Sequence, residues 1–411
     1  MPISRRAFLA ASAASIAMAQ RKLLAMPPAR AVPAPAAEPP AVLAPWLEVD
    51  AGALAHNVAA ARKLADDRPV IAVVKNNAYG LGLATAGPLL DRIPGVTMLA
   101  VVRPEEARSL RRAGCRRPIL LMGPASEDEL VELVRMDVLQ SPYRADAPAL
   151  LARVARKAGR PVRVHLYVDT GMHRMGMPVE RALPWAEQLS KAGDIRIEGA
   201  FTELTEDADF DRGQAARLTQ LRSAARAMGI RMATLHAASS EAIMHGNADT
   251  LLDAVRPGLT LYGGYVSEAA RARGELRPAY RLKTRVIRVD HLGAGEGVSY
   301  HRRWTADRPT WTATLAVGHV DGYPSGSVRG GEVFARGRLF PVIGTVSASH
   351  TIISLGDERA VDVGDEVTLV GPDSPALHPN EVAKRAGWSE YNMFMHLSPE
   401  LPRIVIGEAA R

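Results

Sequence analysis

The chain's most chemically suggestive stretch reads Val73-Val74-Lys75-Asn76-Asn77-Ala78-Tyr79-Gly80-Leu81-Gly82. A single lysine closes the apolar run from Val70 to Val74, and a loop of Asn, Tyr and Gly follows. A lysine at the mouth of a buried strand sits in low dielectric. That disfavours its charged form, lowers its pKa and suits it to Schiff-base and proton-transfer chemistry. Taken alone, the same lysine can also reach solvent from a strand end, since lysine is rarely buried. Further candidates are Asp169-Thr170-Gly171-Met172-His173-Arg174, His236-Ala237-Ala238-Ser239-Ser240 and Arg256-Pro257-Gly258-Leu259. Each is weak alone: an arginine at a strand end is commonly a surface ion pair, and a histidine such as His236 is commonly a satisfied core residue.

Such residues become a site only if regular elements gather them. After Trp46 the chain alternates short apolar runs with Ala- and Arg-rich helical stretches. Eight candidate strands are Val70–Lys75, Thr97–Val102, Pro118–Met122, Val138–Tyr143, Val162–Val168, Ile195–Phe201, Met232–Ala238 and Leu259–Gly263. Helical patterns such as Pro104–Ala113, Asp146–Ala158 and Arg212–Met228 lie between them, with Asp146 as an N-cap and Pro148 in the first turn. Most strand runs are apolar on both faces, as parallel strands covered by helices should be. Eight strand–helix units over about 220 residues predict an α/β fold, a (β/α)8 barrel. A doubly wound sheet would call for a Gly-rich phosphate fingerprint after its first strand, and none is present. In a barrel the site gathers at the C-terminal strand ends. Lys75 ends the first strand, Asp169–Arg174 follows the fifth, and His236–Ser240 ends the seventh. Arg256–Leu259 lies just before the eighth.

From about Tyr280 the texture changes. Arg285–Leu292, Thr310–Val317, Gly331–Val342 and Glu366–Val370 read as strands broken by Gly, Pro and Asp, which predicts an all-β second domain. The expected division is a leader and linker over 1–45, a barrel over 46–279 and a β domain over 280–411. The strand at 46–50 is also assignable to the β domain.

The 411 residues are 47% hydrophobic and 23% charged, with a net charge of +7, a soluble globular composition. No basic run is interleaved with aromatics, so the charge reads as scattered surface arginine and no nucleic-acid partner is expected. Cys115 is the one cysteine, so no intrachain disulfide forms. No metal site is expected. Ser4-Arg5-Arg6-Ala7-Phe8-Leu9-Ala10, followed by an Ala/Ser stretch to Ala19, has the form of a twin-arginine export signal. A short amphipathic N-terminal helix is the other reading. The apolar run is well short of the roughly 20 residues a membrane span needs. Cleavage after Ala19 or Ala31 fits the small-residue pattern, and Pro27 to Pro45 reads as an extended linker. The expected destination is the periplasm. Export in the folded state suits a protein without disulfides.

The lysine segment resembles the pyridoxal-phosphate motif of the alanine racemase family, whose usual form has Ala at Asn76 and His at Leu81. Later matches are Gly297-Val298-Ser299-Tyr300, Gly318-His319-Val320-Asp321-Gly322-Tyr323, Tyr391 and Pro402-Arg403. The resemblance spans roughly Pro45 to Gly407. It implies a barrel that binds pyridoxal 5'-phosphate, and a homodimer in which the β domain completes the partner's site. Lys75 would hold the cofactor as an imine. Tyr79, Ser240, the backbone of Gly258 and Leu259, and Tyr391 would cradle its phosphate, since N–H groups and hydroxyls beside a glycine donate without obstruction. Arg256 would face the pyridine nitrogen, and Arg174 the ring oxygen and the substrate carboxylate. Tyr300 would reach into the partner's site. Lys75 and Tyr300 on opposite faces of Cα would then exchange its proton, the chemistry of an amino-acid racemase. Arginine stays charged, with a pKa above about 12, so the ring nitrogen stays unprotonated and side reactions are limited. Related decarboxylases have an acidic residue there, so Arg256 favours racemisation.

Several positions depart from the family pattern. Its Phe-Thr-His-Phe is here Phe201-Thr202-Glu203-Leu204, so Glu203 enters the Arg256 network. Its lysine, often carbamylated, two positions before Asp-Thr-Gly is Tyr167. Its Cys-Met-Asp turn is Ser347-Ala348-Ser349, which leaves the Ala348 N–H for a substrate carboxylate. These changes, with the export signal, point to alanine or a broader set of amino acids. The alternatives are a pyridoxal-phosphate decarboxylase on the same barrel and a cofactor-binding protein without catalysis.

Overall fold

The computed structural model describes residues 43–407; the twin-arginine pattern and most of the linker lie outside the described residues. Eight parallel strands form a ring: Val70–Val73, Val96–Val101, Ile119–Leu121, Val138–Gln140, Val162–Asp169, Ile195–Phe201, Thr234–Ser239 and Ala254–Arg256. Val255 pairs with Val70, and Gln140 with Val164, so the ring has no free edge. All four residues of Val70–Val73 are buried, as expected of a strand with packed side chains inside and a helix outside. Helices such as Ala147–Ala158 and Ala208–Ala227 form the outer layer. The helix Glu127–Arg135 begins with a capping box between Ser126 and Glu129.

The eighth strand differs from expectation. The ladder runs through Ala254–Arg256, while Leu259–Tyr262 is a buried 3-10 turn. Pro257 cannot donate to a ladder, and Gly258 turns the chain away from it. The apolar character of Leu259–Tyr262 instead reflects burial beneath the helix Ala51–Leu64, whose Asn57 amide donates to the Leu261 carbonyl at 3.1 Å. Asp146 precedes its helix, but its carboxylate pairs with Arg144 and makes no cap bond. Cys115 lies in the loop before Ile119–Leu121 and is buried, which pushes its thiol up to about 12.

Lys75 lies just past the first ladder and opens an unusual turn. Asn76, Asn77, Ala78 and Tyr79 have φ of 54°, 58°, 53° and 51°, one turn of left-handed helix. Asn tolerates this region better than other L-residues, which accounts for the paired Asn. The Glu106 carboxylate accepts from the Asn76, Val102 and Arg103 N–H groups, so the turn is fastened to the neighbouring strand end.

In the second domain the 13-residue strand Tyr280–Leu292 alternates buried and partly exposed positions from Tyr280 to Val286, the period of a strand with one covered face. It pairs with both Glu366–Val370 and Thr310–Leu315 and closes a six-stranded antiparallel ring through Thr351–Gly356, Arg338–Ile343 and Glu332–Ala335. Trp46–Asp50 pairs antiparallel with Tyr280–Leu292 and parallel with Arg403–Ile406, so this strand, which precedes the barrel, is part of this sheet. Two short helices, Pro379–Ala386 and Glu390–Met395, precede the last strand. Gly80 lies so close to the second that a Cβ there would be 2.2 Å from the Phe394 carbonyl oxygen. Among the described residues no helix is long and apolar enough to cross a membrane.

Candidate active site

A cleft of about 360 Å³ at the C-terminal strand ends is lined by Lys75, Tyr79, Arg174, Glu203, Ser240, Arg256, Gly258 and Tyr391, with Met172 and Glu206. Eight of the residues singled out from sequence thus meet in one place. Lys75 reaches it because the ladder stops at Val73 and the left-handed turn begins. Tyr391 reaches it on the helix Glu390–Met395 of the second domain.

One end of the cleft is built from backbone and hydroxyls. Ser240 Oγ accepts the Gly258 N–H at 3.0 Å and the Thr260 N–H at 3.2 Å. The Tyr79 hydroxyl lies against Gly258, where a Cβ would come within 2.2 Å of it. Only glycine permits that approach. Tyr79 stacks on Tyr262 at 4.8 Å, and the Tyr262 hydroxyl donates to the Val73 carbonyl at 3.0 Å. Burial pushes both phenols well above their usual range. Tyr391 is raised to about 12 by burial and by Glu206, Glu241 and Glu390. All three therefore stay protonated near neutral pH and act as neutral donors. The Thr260 hydroxyl beneath them is buried without a hydrogen-bond partner. A glycine-cleared recess with hydroxyls around it fits a phosphate.

The other end is cationic. Arg256 is 3% exposed. Its guanidinium donates to His236 Nδ1 and to the carbonyls of Thr202, His236 and Ala237 at 2.8–3.2 Å, and lies 5.1 Å over the Phe201 ring. Glu203 Oε1 lies 3.0 Å from Arg256 Nη2, and Oε2 lies 3.4 Å from Arg174 Nη2. Tyr167 stands nearby, its phenol raised to about 12 by burial and by Glu203, against the opposing effect of Arg174.

Tyr300 and Ala348 are elsewhere. Tyr300 is 67% exposed on the second domain and does not line this cleft. Its segment is tied to that of Ala348, since Ser299 Oγ donates to the Thr345 carbonyl at 3.4 Å. Ala348 is also exposed, in a turn whose Ser347 and Ala348 carbonyls accept the His319 and Val320 N–H groups.

Sequence reasoning missed three supports. Glu106 anchors the Lys75 turn, Tyr262 backs Tyr79, and His165 accepts from His236. Only Glu106 carried a signal, an acid in the first turn after Pro104.

A lysine, a glycine-cleared recess ringed by hydroxyls and a fixed cation around one cleft fit a barrel enzyme that takes a phosphorylated cofactor. The alanine racemase N-terminal domain family matches residues 49–266, and the C-terminal domain family matches 279–405. The chain is 34% identical over 369 residues to an alanine racemase of Desulforamulus reducens, covering 88% of this chain and 99% of that one. A solved alanine racemase of Clostridium difficile superposes with a TM-score of 0.81 at 27% identity, covering 89% and 96% of the two chains. A histidine racemase of Leuconostoc mesenteroides subsp. sake shares the fold, with a TM-score of 0.81, 23% identity and coverage of 88% and 98%. The chain belongs to the alanine racemase family and is a pyridoxal-phosphate-dependent amino-acid racemase.

Proposed function

We propose that this racemase interconverts L- and D-amino acids, alanine or a broader set, with Lys75 and Tyr300 as its two bases. The observation that carries the reading is Lys75 on the wall of a cleft whose inner end is the buried guanidinium of Arg256. Bound pyridoxal phosphate supplies an electron sink that makes the substrate Cα–H acidic. Ser240, Tyr79, Tyr391 and the Gly258–Leu259 backbone would hold its phosphate, and Lys75 would hold its carbonyl carbon until the substrate amine takes that place and frees the lysine amine. Lys75 Nζ takes or returns the Cα proton on one face. The Tyr300 hydroxyl does so on the other. Arg174 pairs with the carboxylate, and the Ala348 N–H assists it. Arg256, a permanent cation, disfavours protonation of the ring nitrogen.

The exposure of Tyr300 and Ala348 on the second domain supports a homodimer in which each β domain completes the other copy's cleft. Ser4-Arg5-Arg6-Ala7-Phe8-Leu9 supports twin-arginine export to the periplasm.

The test is borohydride reduction of the cofactor-loaded protein with peptide mapping, joined to Cα deuterium exchange in heavy water across a panel of L-amino acids. A label on Lys75 and exchange with inversion are expected. Release of carbon dioxide would identify a decarboxylase, and binding without exchange an inactive carrier.

A further inference from the structure

Arg256 and Arg174 face the same cleft but are held very differently. Arg256 is buried and bonded through both terminal guanidinium nitrogens, Nη1 and Nη2, to His236, Thr202 and Ala237, so it has one position. Arg174 sits in the loop between Asp169 and Met177, its side chain 58% exposed, and its ion pair among the described residues is with Glu203. A long side chain in solvent loses rotamer entropy whenever it engages a ligand. Two guanidinium groups at one cleft also repel each other.

Glu203 answers both problems. Its Oε1 meets Arg256 Nη2 at 3.0 Å and its Oε2 meets Arg174 Nη2 at 3.4 Å. The residue is pinned from behind. Gln214, fully buried, donates from Nε2 to the Glu203 carbonyl at 3.0 Å and to Thr170 Oγ1 at 3.2 Å. Thr170 Oγ1 in turn bonds Thr202 Oγ1 at 2.7 Å. On the other side, the Thr205 N–H donates to Asp211 Oδ1 and to Gln214 Oε1. Glu203 is thus fixed on both flanks and its carboxylate spans the two cations.

We propose that Glu203 is a positioning residue that ties solvent-exposed Arg174 to buried Arg256, so that Arg174 is turned into the cleft before an anion arrives. This rests on the racemase reading, with Arg174 as the partner of a carboxylate. Glu203 also leaves the trio with one net positive charge instead of two. That moderates the field on the other groups lining the cleft: Lys75, Tyr79, Glu206 and Tyr391.

The experiment compares native enzyme, Glu203→Gln and Glu203→Asp, each loaded with cofactor. It measures KM and kcat, the Kd of propionate as a non-reacting carboxylate, and the pH at which the cofactor absorbance changes. Loss of a charge-assisted tether predicts that Glu203→Gln raises KM and the propionate Kd about tenfold, with a smaller effect on kcat. Loss of a negative charge disfavours a bound cation, so the absorbance change moves to lower pH by roughly half a unit or more. Glu203→Asp keeps the charge, holds the absorbance change near its native pH and recovers part of the affinity. Unchanged propionate affinity together with an unchanged absorbance titration overturns the proposal. So does tighter propionate binding in Glu203→Gln, which would make Glu203 a competitor for Arg174. An equal loss of all readouts and of thermal stability in both variants would make its role structural and also overturn it. A native protein that fails to racemise refutes the racemase reading instead, and propionate binding still tests Glu203 separately.

Discussion

Arg256 donates an Nη1–H to Nδ1 of His236 at 2.8 Å, and this single bond sets the protonation of two buried histidines. A guanidinium has no acceptor, so Nδ1 of His236 carries no proton. The His236 proton is then on Nε2, from which it is donated to Nδ1 of His165 at 2.8 Å. His165 in turn carries its own proton on Nε2. The row runs one way, from the cation at the cleft into the barrel wall, and holds both rings neutral.

The first prediction concerns acid stability. Burial, followed by the charge of Arg256, holds His236 well below the ordinary range, and burial lowers His165 from 6.5 to about 4. Between those two values the unfolded chain binds more protons than the folded one. Stability is therefore fully present above 6.5 and falls as pH drops toward 4, on the order of 1 kcal/mol per pH unit per histidine. Urea midpoints measured from pH 7 to 4.5 should fall accordingly, and His165→Asn should have a shallower profile than native. Equal slopes in the two proteins would contradict this assignment.

Much of the fold was legible because the barrel strands are apolar on both faces and separated by helical periods, a pattern few folds share. The last strand was misplaced because Ala254–Arg256 is only three residues long, whereas Leu259-Thr260-Leu261-Tyr262 has strand composition yet turns under a helix. Burial decided the residue types there, and proline and glycine decided the backbone. At the site, Lys75, Tyr79, Ser240, Gly258 and Arg256 were legible from their motifs. The bridge from Glu203 to Arg174 was not. It joins loops 29 residues apart in sequence that meet only because adjacent barrel strands, Val162–Asp169 and Ile195–Phe201, lie side by side. Glu106 was invisible for the same reason, as its carboxylate caps a turn 30 residues away.

The paired Asn after Lys75 should matter for stability more than for chemistry. Asn76 has φ 54°, ψ 54°, and its side chain also donates to Met395 Sδ at 3.3 Å. Alanine there must adopt the left-handed region without the polar side chain that eases it. Asn76→Ala should cost about 1 kcal/mol, read as a lower urea midpoint, with kcat close to native. A large fall in kcat with unchanged stability would instead give Asn76 a chemical role.

The recess at Gly258 offers a sharper test of where the phosphate sits. A Cβ at 258 meets the Tyr79 hydroxyl at 2.2 Å and the ring carbon bearing it at 2.7 Å. Tyr79 cannot retreat, since its ring stacks on Tyr262. Gly258→Ala should therefore displace the hydroxyl and weaken pyridoxal phosphate binding about tenfold or more, the worth of one charge-assisted hydrogen bond. Equilibrium dialysis of the cofactor reads this directly. Tyr79→Phe removes the hydroxyl without crowding and should lose a similar factor. Native affinity in both variants would move the phosphate elsewhere in the cleft.

The final prediction addresses Tyr300. Its exposure on the second domain, away from the Lys75 cleft of its own chain, makes sense if it serves another copy. Ser299 at φ 64° and His301 at φ 60°, on either side of it, lie in a backbone region that L-residues with side chains seldom adopt. Such strain is kept where surrounding contacts enforce it, and it clusters at functional sites. Lys75→Ala and Tyr300→Ala should each be inactive. Mixed under conditions that exchange subunits, they form heterodimers with one site built from two native residues and one from two alanines. Random pairing makes about half of all dimers mixed, each with one of its two sites intact, so recovery should approach about a quarter of native activity. Mass spectrometry of the intact dimers verifies exchange. Verified exchange with no recovered activity would mean that both residues act within one chain, or that Tyr300 is not a base. Either outcome would remove the shared site.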